Sequence, residues 1–82
     1  MISRADEIDE IRWRLRVSNL EARIELREIE AAASIREIAS PLTSAPRKTE
    51  LAQRRLDLLR EAAALKTELD QMRQSKPSWT RH

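Results

Sequence analysis

Arg12, Arg16, Arg23 and Arg27 follow one another at intervals of four, seven and four residues. Successive residues of an α-helix turn by about 100°, so this spacing lines four guanidinium groups along one helix edge. Such a row can track the phosphates of a nucleic acid, or it can pair with carboxylates on a neighbouring helix. Arg47, Lys48, Arg54 and Arg55 are further candidate nucleic-acid contacts, and Lys76 and Arg81 add cations near the end of the sequence. The balance of charge works against a strongly basic field, because 16 Lys and Arg face 14 Asp and Glu for a net charge of +2. Neither helix-turn-helix nor zinc-finger spacing is present.

Catalytic chemistry finds few candidates. There is no Cys and no Tyr, and the one His is His82. No nucleophile–base pair is suggested, and a chain without glycine cannot form a Gly-rich phosphate loop. Carboxylates at this density on helices make a solvated face, and one His does not support a His-plus-carboxylate metal site. The expectation is a non-enzymatic chain with no catalytic residue, no cofactor and no metal. Without cysteine there is no disulfide to indicate an oxidising compartment. The stretch from Met1 to Glu7 is too acidic and polar for a signal peptide. Uninterrupted apolar runs are at most four residues long, far short of the roughly 20 that span a bilayer. A cytoplasmic protein with no membrane partner is therefore expected.

The elements that carry these residues are helices. Eighty-two residues allow one small domain, and the chain is rich in Ala, Leu, Arg and Glu, all good helix formers. Ser3 followed by Asp6 resembles a capping box, and Asp6, Glu7, Asp9 and Glu10 suit the positive end of a helix dipole. Helical periodicity then runs to about residue 39. Pro41 stops it, since proline disfavours helical geometry in the residue before it. Residues 40–46 form a connector of the length usual between antiparallel helices. Thr43 or Ser44 can cap a second helix and Pro46 fits its first turn. That helix runs from about 47 to 74. Pro77 ends any continuation, leaving residues 75–82 as a mobile basic tail. The expected fold is all-α, an antiparallel hairpin of two helices about 50 and 40 Å long.

The apolar residues of the first helix fall into two stripes on opposite faces. One holds Ile8, Ile11, Leu15, Ala22, Leu26, Ile29 and Ala33; the other holds Trp13, Val17, Leu20, Ile24, Ala31, Ile35 and Ile38. The second helix has one main stripe, Leu51, Leu58, Ala62, Leu65, Leu69 and Met72, and a shorter patch at Leu56, Leu59 and Ala63. One neighbour needs one stripe, so two opposed stripes imply burial on both sides. A short chain with one thin seam commonly gains stability by assembling, and a dimer of hairpins making a four-helix bundle is the simplest solution. A higher ring or a larger protein partner also fits.

Charge chooses between the stripes. Arg12, Arg16, Arg23 and Arg27 share one edge of the first helix with Asp9 and Glu30. Glu7, Glu10, Glu21, Glu25 and Glu28 share the other, broken by Arg14. In the second helix Arg55, Lys66 and Arg73 lie on one side of the main stripe, and Asp57, Glu61 and Glu68 lie mostly on the other. With the Trp13 stripe turned inward, opposite signs meet across the seam; with the Ile8 stripe inward, like signs meet. The first arrangement is favoured. It leaves Ile8, Ile11, Leu15, Leu26 and Ile29 outward as an interface for another subunit or partner. Trp13 then packs in the core, while Trp79 in the tail is either a disordered terminal residue or an anchor for a partner.

The function expected is protein–protein interaction through apolar helix faces, as an adaptor, scaffold, inhibitor or assembly subunit that associates with itself or with a larger protein. The alternative is an oligomeric nucleic-acid-binding accessory protein. In outline the expected hairpin resembles small helical-hairpin dimers that bind RNA, and the hairpin oligomerisation cores of viral small terminase subunits. That resemblance lies at the level of fold and implies a DNA-packaging or regulatory role for the alternative.

Overall fold

The computed structural model describes residues 4–75. Two helices, α1 (Arg4–Ala39) and α2 (Ala45–Gln74), pack side by side as a hairpin. The described molecule is a rod of 63 × 16 × 16 Å. Ser3 of the expected capping box, Trp79 and residues 76–82 of the expected tail lie outside the described residues.

The turn shows how sequence ends one helix and starts the next. The backbone N–H of Ser40 still donates to the Glu37 carbonyl at 3.2 Å, and Pro41 halts the helix there. The Thr43 hydroxyl donates back to the same Glu37 carbonyl at 2.7 Å, giving that helix-end acceptor a second donor. Ser44 is the N-cap of α2, with its hydroxyl accepting from the Arg47 N–H at 3.4 Å. The two candidate caps thus divide the work, Thr43 on α1 and Ser44 on α2. Helix α2 begins two residues before the expected start because Pro46 sits inside its first turn, where a missing N–H costs nothing.

The seam is a heptad seam. Along α1, Asp6, Glu10, Trp13, Val17, Leu20, Ile24, Arg27, Ala31, Ser34 and Ile38 alternate in steps of four and three, and all are buried or half-buried. Only Glu30 joins them from outside that series. Along α2 the buried and half-buried residues are Lys48, Leu51, Arg55, Leu58, Ala62, Leu65, Leu69 and Met72, again in steps of three and four. Leu20, Ile24 and Leu69 form the tightest cluster, with Val17, Leu65 and Met72 packed around it. This periodicity, 3.5 residues per turn, is the one on which two helices stay in contact by supercoiling.

Two residues depart from the expected inward stripe for this reason. Seven residues fall about 20° short of two helical turns, so a seam of strict heptads drifts around the helix as it ascends. By the last turns of α1 the drift carries Ile35 out to 47% exposure and brings Ser34 in to 6%. Ser34 satisfies its hydroxyl internally, donating to the Glu30 carbonyl at 3.1 Å.

Candidate functional site

Packing against α2 uses one face of α1 and leaves its opposite face open. Ile8 is 45% exposed, Ile11 57%, Leu15 64%, Leu26 49% and Ile29 58%. Ala22 and Ala33, between and beyond them, are exposed as well. This outer face runs over seven turns of helix. Leucine and isoleucine are good and adequate helix formers, so local propensity allows them there, but nothing in the hairpin requires them. On α2, Leu56 and Leu59 are 45% and 38% exposed and make a smaller outer patch near the turn. Leu42, at the tip of the turn, is 94% exposed.

Ion pairs bridge the seam in the sense that the edge-sorting of charge anticipates. Arg27 meets Glu61 at 2.7 Å on one flank, while Glu28 meets Lys66 at 3.2 Å and Glu21 meets Arg73 at 2.7 Å on the other. Two further bridges, Glu30–Arg54 at 3.4 Å and Glu37–Arg47 at 3.7 Å, join the helices toward the turn. Arg14, the cation that interrupts the acidic edge, is held within its own helix by Glu10 at 2.6 Å. Each such exposed pair is worth about 0–1 kcal/mol, but five acting together disfavour any register that would set like charges opposite.

The candidate nucleic-acid contacts separate into groups. Arg27 is engaged with Glu61, Arg54 with Glu30, and Arg47 with both Glu37 and Glu50. Arg55 and Lys48 are half-buried at the seam, and the Nε of Arg55 is enclosed with no hydrogen-bond partner among the described residues. Arg12, Arg16 and Arg23 are exposed, and no carboxylate among the described residues lies within ion-pair range of them. Arg16 and Arg23 border a groove with Glu68. The four-arginine edge is therefore not one continuous row of pairs with α2. Only Arg27 reaches across; its neighbours lie too far from the carboxylates of Asp57, Glu61 and Glu68.

Ser34 and Leu42 escape a reading based on apolar stripes. Ser34 carries a signal, since it falls in step with Ala31 and Ile38 on a heptad count. Leu42 carries none, because a leucine in a turn has no periodicity to mark it. Among the described residues no group of three or more His, Asp or Glu is placed to hold a metal ion. No helix there is long and apolar enough to cross a membrane. No protein-family model, curated protein or solved structure matches this chain.

Proposed function

We propose that this chain is a non-enzymatic protein–protein interaction module whose working surface is the outer face of α1: Ile8, Ile11, Leu15, Leu26 and Ile29. The observation that carries this reading is the exposure of five large aliphatic side chains in one continuous line, on the helix face that the hairpin does not use. Full burial of such a side chain is worth about 1.5–3 kcal/mol, so roughly half of that per residue is still to be gained here. A long apolar strip on a short rod is the usual mark of an interaction site.

The test is Ile11→Asp combined with Ile29→Asp. Both residues lie away from the seam, so circular dichroism should report an intact hairpin. Wild type should form a complex with itself or with another protein, read by crosslinking in cells and by mass in solution, and the double variant should lose it. Identical association by wild type and variant would remove the outer face from the mechanism.

The alternative, a nucleic-acid-binding accessory protein, draws on Arg12, Arg16 and Arg23, which are exposed and unpaired among the described residues. It requires binding to DNA or RNA that weakens steeply with salt, because each phosphate contact releases condensed counterions.

A further inference from the structure

Helix α1 is longer than the helix it pairs with, 36 residues against 30. The two start level at a short turn, so at about 1.5 Å per residue α1 outruns α2 by roughly 9 Å at the other end. The Glu21–Arg73 bridge agrees. Arg73 is the last residue but one of α2, whereas Glu21 lies about five turns into α1. The seam face of α1 is nevertheless not fully open over this projecting end. From Arg4 to Arg16 the residues at its heptad steps, Asp6, Glu10 and Trp13, are half-buried, and every other residue is exposed. Of residues 4–13, those within about 60° of the seam line are Asp6, Asp9, Glu10 and Trp13. They are three carboxylates and an indole; Arg4 and Arg12 fall outside that sector. Arg14, further on, holds Glu10 from within α1 at 2.6 Å.

The segment that follows α2 at this end has the complementary composition. Residues 76–82 read Lys-Pro-Ser-Trp-Thr-Arg-His, with Lys76 and Arg81 and no acid. Trp79 and Trp13 are the two tryptophans of a chain without Phe or Tyr. Pro77 lacks the N–H that would carry α2 onward. An extended chain covers about 3.3 Å per residue, so from Ser75 it brings Trp79 up to about 13 Å along and Arg81 up to about 20 Å. Trp13 and Asp6 are about 10 Å apart along α1, well inside that reach. We propose that residues 76–82 run on along the seam face of α1, with Trp79 packed against Trp13 and with Lys76 and Arg81 among Asp6, Asp9 and Glu10. The segment takes the place that a longer α2 would fill. Cations relieve the mutual repulsion of the carboxylates, and the two indoles bury part of each other's surface. The outer face of α1 stays open, so this closure and the interaction surface proposed above are separate sites that can fail independently.

Two tryptophans give two indole N–H signals, so nuclear magnetic resonance on the full chain tests this directly. In wild type, Trp79 should show nuclear Overhauser contacts to Trp13 and to Asp9 or Glu10, within one chain. Lys76→Glu combined with Arg81→Glu should abolish those contacts, because both attractions become repulsions. The contacts among Leu20, Ile24 and Leu69 should be unchanged, since the substitutions lie outside the helices. A second readout uses Trp79→Phe, which leaves Trp13 as the sole indole. Adding the two charge reversals to that variant should make Trp13 fluorescence more readily quenched by acrylamide. Absence of any contact from Trp79 to α1 in wild type overturns the proposal. So do contacts that join two different chains in a mixture of labelled and unlabelled protein, which would assign the segment to a second copy. Contacts that persist through the charge reversal, with Trp13 quenching unaltered, overturn it as well.

Discussion

The two faces of α1 are both apolar, yet they are built differently. The inner face steps in strict fours and threes and admits Arg27 and Ser34 among its buried or half-buried positions. The outer face carries no polar residue as intimately enclosed, keeps closer to the natural 3.6-residue turn, and holds five large aliphatic side chains. The inner face is shaped by a partner already present, to which its small and polar residues are fitted. The outer face has the bulk of an interface without the neighbour. Hydrophobicity alone thus does not choose the core face, since both stripes are rich in large apolar side chains; spacing and charge do.

Substitutions that treat the faces alike should expose that difference. Leu20→Ala on the inner face should cost about 2–5 kcal/mol, because it opens a cavity in the tightest cluster of the seam. Leu15→Ala on the outer face should cost the isolated hairpin less than about 1 kcal/mol. Chemical denaturation at concentrations low enough to keep the chain monomeric reads both, and equal losses would abolish the distinction.

A smaller effect is expected from the ion pairs. Replacing Arg12, Arg16, Arg23 and Arg27 together by Gln should destabilise the hairpin by about 0–1 kcal/mol, nearly all of it through loss of the Arg27–Glu61 pair. A thermal melt of the four-Gln variant beside Arg27→Gln alone should show nearly the same shift. In a salt titration with duplex DNA, wild type should show little binding. Submicromolar affinity with a log–log slope near −0.9 per phosphate contacted, flattened in the four-Gln variant, would instead establish the nucleic-acid reading.

The smallest effect belongs to Ile35, which is apolar but has drifted off the seam without reaching the outer stripe. Ile35→Ser should change hairpin stability by no more than about 0.5 kcal/mol. Leu51→Ser, at the same end of the rod but buried at 3%, should cost several times more. Comparable losses from the two would show that the heptad account of the seam is wrong.

Much of this architecture follows from residue types and their order. Pro41 and Pro46 bracket a turn too short for anything but antiparallel neighbours, the glycine-free, Ala- and Leu-rich segments on either side are helical, and charges sorted by edge choose the inward stripe. The turn and the helices are local properties of the backbone, and the inward stripe follows from comparing the charged edges of the two helices, so residue order suffices for all three. The rest required the two helices in contact. That Ser34 is enclosed while Ile35 is not, and that Arg27 alone of its row reaches a carboxylate on α2, depend on how the helices pack against each other; that Thr43 bonds back to Glu37 depends on the path of the turn. A reading at about 100° per residue treats each helix as straight, whereas a seam that must stay in contact along its length follows 3.5 residues per turn and rotates steadily away from that straight line.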